Sequence, residues 1–270
     1  AERDWSNITP VDIDPFGLNL KDFNITTPRI VGGDEAIPHS HPHQVALFIK
    51  LSTSTLFCGG TIISPRYILT AAHCMDKAKE VEVLLGAHNI RKEEPTQKRI
   101  KSNKFIIHER WSSFFFRNDI ALIELPEEIE FNQYIQPIAL PCHSDKGNTL
   151  VGEQTTVSGW GRDSDKVTTI SPVLRQVSSK VISRLTCMLR FRRLIPKTQV
   201  CLSGKGRKGA CNGDSGGPLV GKKANGQIVE YGIVSFILVA GCERGWPSGF
   251  TRVSSYLDWI NKKTGIPICD

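Results

Sequence analysis

Three short strings in the chain hold residue types that together can break an acyl bond. They are Leu69-Thr70-Ala71-Ala72-His73-Cys74, Asn118-Asp119-Ile120-Ala121-Leu122 and Cys211-Asn212-Gly213-Asp214-Ser215-Gly216-Gly217-Pro218. A serine hydroxyl is a poor nucleophile at neutral pH and needs an adjacent base. Histidine is the natural base, because it titrates near neutrality, and a carboxylate is needed to orient it. The glycines around Ser215 let the backbone approach a ligand closely and aim two N–H groups at one point. Singly, each string is a moderate signal: a His beside a Cys is more often structural, and an Asn-Asp pair is usually a turn. In the order His…Asp…Ser they match one of the chain orders known for a Ser–His–Asp constellation.

Such a constellation needs a scaffold that brings distant positions together. From residue 30 onward the chain alternates short apolar runs with Gly, Pro, Asn and Ser. Runs at 44–50, 61–63, 67–71, 81–85, 120–125, 154–157, 228–235 and 249–253 are rich in β-branched and aromatic residues. That texture predicts an all-β sandwich or barrel. Helical periodicity is convincing only over 256–263, with Ser254 or Ser255 as cap and Gly265 and Pro267 as stop signals. Residues 137–150 read as a linker between two β halves. With 270 residues, 40% hydrophobic and 23% charged, the composition is that of a globular protein. No stretch approaches the apolar length of a membrane helix. The first residues lack the basic and apolar regions of a signal peptide, so a secreted form is expected to have lost its signal already. Neither internal repeats nor a phosphate-cradling glycine loop is found.

Residues 1–29 differ from the rest. They carry five acids against three bases, a net of −2, which leaves +9 of the overall +7 on residues 30–270. They contain no Cys but two Asn-X-Thr sequons, at Asn7 and Asn24, which mark a glycosylatable leader. From Lys166 to Gly213 there is no Asp or Glu, while eleven bases occur. A solvated basic face and a steering surface for acidic substrates or polyanions both account for that stretch. Charge alone is a thin basis for a nucleic-acid binder, since no recognisable module is present.

Together with Ile30-Val31-Gly32-Gly33, Cys58-Gly59-Gly60, Ser158-Gly159-Trp160-Gly161 and Gly232-Ile233-Val234-Ser235-Phe236, the three strings resemble the chymotrypsin-like (trypsin-like) serine endopeptidases over nearly all of residues 30–270. The resemblance implies two six-stranded antiparallel β-barrels with a C-terminal helix, and protein or peptide substrates. It makes Ser215 the nucleophile, His73 the general base and Asp119 its orienting carboxylate. Gly213 and Ser215 would supply the oxyanion-hole N–H groups, and Ser235 would support Asp119. It also implies a zymogen: a trypsin-like protease cuts Arg29-Ile30 in the leader 1–29, and the freed α-ammonium of Ile30 pairs with Asp214. Relatives often hold that Asp with a Ser and a His, but Ala46 and Leu56 stand at the matching positions here. Neither side chain can hydrogen-bond, so a mobile or differently parked Asp214 and a disordered or alternative activation region are expected. The family pattern implies disulfides Cys58–Cys74, Cys187–Cys201 and Cys211–Cys242, and leaves Cys142 and Cys269 to pair. Four disulfides mean an oxidising, extracellular setting. The leader has no Cys to retain it and is expected to leave once cut.

Substrate preference would rest on Gly209, Ile237 and Ser248. An uncharged Gly209 disfavours Lys or Arg at the cleavage position, whose charge would be buried unpaired. Ile237 should narrow the pocket towards small or medium apolar residues, as in elastase-like members, with aromatic preference as the alternative. Leu85-Gly86-Ala87-His88-Asn89-Ile90, Gly209-Ala210-Cys211-Asn212-Gly213-Asp214 and Leu257-Asp258-Trp259-Ile260 also resemble the crustacean and insect collagenolytic (brachyurin-like) branch. No cofactor or metal is expected. Ala87, Glu94 and Gln97 leave too few carboxylates for a tight calcium site, and His39, His41 and His43 lack a fourth ligand for zinc. The chain is expected to be a monomer that meets protein inhibitors. A non-catalytic binding module on the same fold is the competing class.

Overall fold

A computed structural model describes residues 3–11, 33–113, 116–192, 194–237 and 241–270. Fifteen strands and three helices follow in chain order: β1 Ile8–Pro10, β2 Asp34–Glu35, β3 Gln44–Lys50, β4 Thr55–Ile62, β5 Tyr67–Thr70, α1 Ala72–Met75, β6 Glu80–Leu85, β7 Lys98–Ser102, β8 Lys104–Ile107, β9 Ala121–Glu124, β10 Gln154–Gly159, β11 Arg175–Ile182, α2 Arg184–Phe191, β12 Gln199–Leu202, β13 Pro218–Lys222, β14 Ile228–Phe236, β15 Ser248–Arg252 and α3 Leu257–Thr264.

The first sheet runs β7-β6-β3-β4-β5-β9-β8. Only Asn103 separates β7 from β8, so residues 98–107 act as one bent strand that pairs with β6 at one end and β9 at the other. That strand closes a six-stranded antiparallel barrel, and closure removes the exposed edges of an open sheet. Ser102 secures the bend: its Oγ donates to Glu124 O (2.6 Å) and accepts from Lys104 N (3.1 Å). The second sheet runs β10-β13-β14-β15-β12-β11, closes through β10–β11, and carries β2 outside β11. The two six-stranded barrels follow the fold expected from the motifs.

Each barrel has its own apolar core. Val45, Leu47, Ile68, Leu69, Leu122 and Ile123 fill the first; Val157, Leu219, Val234 and Phe250 fill the second. A third cluster, with Phe48, Phe57, Leu84, Trp160 and Leu174, lies against both sheets. The segment around 137–150 carries a short 3-10 turn, His143–Gly147. Cys142 within it is bonded to Cys269 at the far end of the chain. The other bridges are Cys58–Cys74, Cys187–Cys201 and Cys211–Cys242.

Three local expectations change. Helix α3 starts at Leu257 after a 3-10 turn over Val253–Ser255, with Tyr256 at its N-cap and no side-chain cap. The serines close the preceding turn instead. Helix α2 has no clear apolar stripe in sequence because Leu185 and Leu189 face outward, 64% and 71% exposed; Cys187 and Phe191 hold it to the body. Residues 3–11 of the leader belong to the folded body. β1 pairs in parallel with the first half of β4, Ile8 opposite Thr55 and Pro10 opposite Phe57. β5 meets β4 only at Thr61 and Ile62, so the edge at 55–57 is left for the leader to fill.

Candidate active site

The site lies where the ends of strands from both barrels meet. His73 is the second residue of α1, a one-turn helix that leaves β5 after the extended Ala71. The Cys58–Cys74 bridge ties that turn to β4, and the His73 ring lies against Trp111 with centroids 6.4 Å apart. Asp119 precedes β9 after Asn118, which takes a left-handed φ of 54°. Asn118 is held there by its own side chain: Nδ2 donates to Arg110 O (2.6 Å) and Oδ1 accepts from the Tyr256 hydroxyl (3.1 Å).

The Asp119 carboxylate is fully buried and accepts three hydrogen bonds. They come from His73 N (3.0 Å), His73 Nδ1 (2.8 Å) and Ser235 Oγ (2.5 Å). Thr251 Oγ1 donates to the Asp119 carbonyl (2.8 Å) and so links its backbone to β15. A carboxylate can only accept, so the proton on the ring belongs on Nδ1. Nε2 is then the free lone pair, the atom a base needs.

Ser215 sits on the second barrel, on a loop held by its own backbone. Asp214 N donates to Cys211 O, Gly217 N to Asp214 O and Gly216 N to Val234 O, while Gly59 N of β4 donates to Ser215 O at 2.8 Å. Gly216 has to be glycine twice over: its φ is +78°, and a Cβ there would lie 2.2 Å from Thr70 Oγ1. Thr70 and Ala71 lead directly into α1, so this close approach sets Ser215 beside the histidine turn. No hydrogen bond among the described residues joins Ser215 Oγ to His73 Nε2. Contacts of this kind often tighten only when substrate binds.

The Asn212 carbonyl accepts from Arg162 N at 2.8 Å. A trans peptide places its N–H opposite its carbonyl, so the Gly213 N–H points away from Arg162. Neither this N–H nor that of Ser215 has a hydrogen-bond partner among the described residues. Two unclaimed donors beside a serine hydroxyl can receive a developing oxyanion.

Asp214 is also buried, at 1% exposure. Gly161 N and Cys211 N each donate to its carboxylate at 2.8 Å. Gly161 lets the backbone touch it, since a Cβ there would lie 2.5 Å from Oδ1. Burial pushes its pKa up to about 6, and the two N–H bonds pull it back only in part. No cation pairs with it among the described residues. Of the two expected arrangements, a mobile or a differently parked Asp214, the described residues show the second: two backbone donors hold Asp214 without help from Ala46 or Leu56. Arg29, Ile30 and Asn24 lie outside the described residues. Asn7 is exposed, and its Nδ2 donates to Asp4 Oδ2 (2.6 Å).

Gly209 and Ser248 touch: a Cβ on Gly209 would lie 2.7 Å from Ser248 Oγ. That oxygen accepts from Ala210 N at 3.2 Å. Ile237 is buried and packs with Ala210 and Val234. A cavity of about 10 Å³ beside Ser215 is lined by Val11, Cys211, Asn212, Val234, Ser235, Phe236 and Ile237. Glu94, one of the weighed calcium ligands, is occupied by its own loop, accepting from His88 N, Asn89 N and Gln97 Nε2. Of the three histidines, His43 is buried and its pKa is pushed down to about 3 by desolvation and by His41. His41 Nε2 lies 2.6 Å from Gln176 Oε1.

Residues that sequence reasoning passed over act through the backbone or through packing. Arg162 contributes its N–H, Trp111 a ring face, and Val11 a contact from the leader. None carries a side-chain signature that a motif could reveal.

The trypsin family model matches residues 30–260. The chain belongs to the trypsin family. A brachyurin of Leptuca pugilator is 49% identical, over 88% of this chain and 99% of the relative. A chymotrypsin of Phaedon cochleariae is 42% identical, over 86% and 81%. A solved structure titled as HL collagenase superposes with a TM-score of 0.79 at 36% identity, covering 88% of this chain and all of that one. This member of the trypsin family is a serine endopeptidase, a hydrolase acting on protein or peptide substrates, and it resembles the brachyurin and collagenase members.

Proposed function

We propose that the chain is the zymogen of a secreted serine endopeptidase in which Ser215, His73 and Asp119 form the catalytic triad. The observation that carries this is the line of contacts from Ser235 Oγ through the buried Asp119 carboxylate to His73 Nδ1. It leaves Nε2 unprotonated on the side of the histidine turn that packs against the Ser215 loop.

In the reaction, Ser215 Oγ attacks the peptide carbonyl and its proton passes to His73 Nε2. The C–N bond then breaks, and the same proton goes to the leaving amine. Water repeats the sequence to release the acyl group. Asp119 stabilises the imidazolium formed in between. Gly213 N–H and Ser215 N–H receive the oxyanion, where a single donor is worth roughly 2.7–4 kcal/mol. Ser235 positions Asp119.

Cleavage at Arg29-Ile30 frees an α-ammonium for Asp214. That pairing relieves the cost of a buried carboxylate without a counter-charge. The four disulfides suit an oxidising, extracellular setting. The uncharged contact of Gly209 with Ser248 and the buried Ile237 favour small or medium apolar residues at the cleavage position. A second reading, broad collagenolytic specificity, is favoured by the relatives named brachyurin and collagenase.

After tryptic cleavage, an organophosphonate is expected to label Ser215 and a panel of peptides to show preference for Ala, Val or Leu. Full activity of the uncleaved chain would defeat the zymogen reading. Preference for Phe or Tyr over Ala would defeat the pocket reading, and cleavage of native collagen would establish the second one.

A further inference from the structure

We infer that residues 3–11 of the leader are an inhibitory ligand of the active-site groove, bound with a polarity opposite to that of a cleavable chain. The inference rests on the site proposed above.

The segment is anchored at intervals along its length. The Arg3 guanidinium lies over the Phe48 ring, 3.8 Å from its centroid, and pairs with Glu82. Trp5 meets Phe48 edge-on at 6.0 Å, and Arg91 covers the other side of the indole. Ile8 is buried in the cluster that contains Phe48, Phe57 and Leu84. Residues 8–10 then pair with β4, and Val11 N donates to Phe57 O at 3.3 Å. Pro10 reaches the oxyanion loop: a Cβ on Gly213 would lie 3.4 Å from Pro10 Cβ. Val11 follows, lining the small cavity beside Ser215 together with Val234, Ser235 and Ile237.

The direction is what separates this ligand from a substrate. In the proposed reaction the acyl half keeps its side chain in the pocket of Gly209, Ile237 and Ser248 on the second barrel. Its leaving half departs on the other side of Ser215, along the first barrel. A cleavable chain therefore runs, N- to C-terminus, from β14 towards β4. The leader runs from β4 towards β14. Pro10 and Val11 lie next to the nucleophile loop, but the amide between them is reversed relative to one whose amine must leave along β4. Attack also requires the carbonyl oxygen to face the Gly213 and Ser215 N–H groups, and reversal puts the peptide out of that register. The leader thus blocks the groove without becoming its substrate.

A consequence follows for activation. Cutting at Arg29-Ile30 breaks none of the contacts just described. The absence of Cys makes the leader releasable, and these contacts make its release slow or dependent on a second event.

The chain is cut after Arg29, passed over a sizing column and assayed with a small apolar peptide substrate; Ser215 is titrated with phosphonate. Residues 1–29 are expected to co-elute with the enzyme. The Trp5→Ala/Ile8→Ser double variant should lose them and gain about tenfold in activity per labelled serine, the scale of losing a central aromatic anchor. A synthetic peptide of residues 1–11, added to the leader-free enzyme, should inhibit competitively, remain uncut by mass spectrometry, and weaken about tenfold on Trp5→Ala. Cleavage of the peptide near Pro10-Val11, or no inhibition at millimolar concentration by an enzyme that hydrolyses substrate and takes the label, overturns the inference alone. Absence of both label and hydrolysis overturns the site reading as well. The added-peptide arm decides the matter even where the double variant fails to fold.

Discussion

Two buried carboxylates stand on either side of the cleft, and they are treated differently. Asp119 receives three donors, one of them the imidazole it orients. Asp214 receives two backbone N–H groups and no cation among the described residues, and burial raises its pKa to about 6. The acid–base half of the site is thus assembled, while the serine loop holds a buried carboxylate with no cation beside it among the described residues. In the proposed activation, control of activity is placed where electrostatics are unfinished. The loop bearing that charge is nonetheless well formed, with the Asn212 carbonyl turned to Arg162. On the inference above, the leader in the groove restrains a site whose serine loop is already formed.

The sharpest way to break the contrast is at Asp119. Asp119→Asn in the cleaved enzyme is expected to lower kcat by about 10⁴-fold while leaving the fold intact; a loss below tenfold in steady-state kinetics would remove Asp119 from the reaction. Next is the clamp that ties the segment around Cys142 to the C-terminal end of the chain. Opening Cys142–Cys269, which spans a sequence separation of 127, by a double Cys→Ser change should cost about 4–5 kcal/mol in urea unfolding. The shorter Cys58–Cys74 loop, with a separation of 16, should cost about 3 kcal/mol.

Asp214 gives a pH signature. Its folded pKa, about 6, lies above the ordinary 3.8. Its contribution to stability is therefore fully present below the lower value and lost as pH rises through the higher one. In the uncleaved chain, the stability of the parent relative to Asp214→Asn should fall by about 2 kcal/mol between pH 4 and 7. Buried His43 runs the other way, being held neutral with its pKa near 3, but both chains carry it and it cancels. Urea midpoints across that range check the sign, and a rising difference would mean that Asp214 already has its counter-charge. The smallest effect is at Ser235: Ser235→Ala removes one hydrogen bond to a charged group, about 1.5–3 kcal/mol. It should lower kcat by about tenfold or somewhat more and shift the acid limb of the pH–rate profile.

Much of this was legible before any coordinates. Strand runs such as 44–50 and 67–71 appear almost where expected, because alternating and β-branched residues report on the sheet locally. β11, whose Arg175–Ile182 mixes serines and charges, gave no such signal, since only its alternate residues face the core. α2 was hidden for a similar reason: its apolar residues are divided between the body and solvent. The bend at Asn103 that closes the first barrel depends on β6 and β9 arriving at the same strand from two sides.

The sequence by itself determined the chemistry: which residue can attack, which can take a proton, which can orient, and which glycines a tight loop needs. These are properties of side-chain type and short spacing. Tertiary structure decided how the two buried carboxylates are compensated, which way the Asn212–Gly213 peptide faces, and where the leader lies. Each of those depends on backbone groups and surfaces brought together from distant parts of the chain. A backbone N–H looks the same at every position until the fold gives it a partner or leaves it without one.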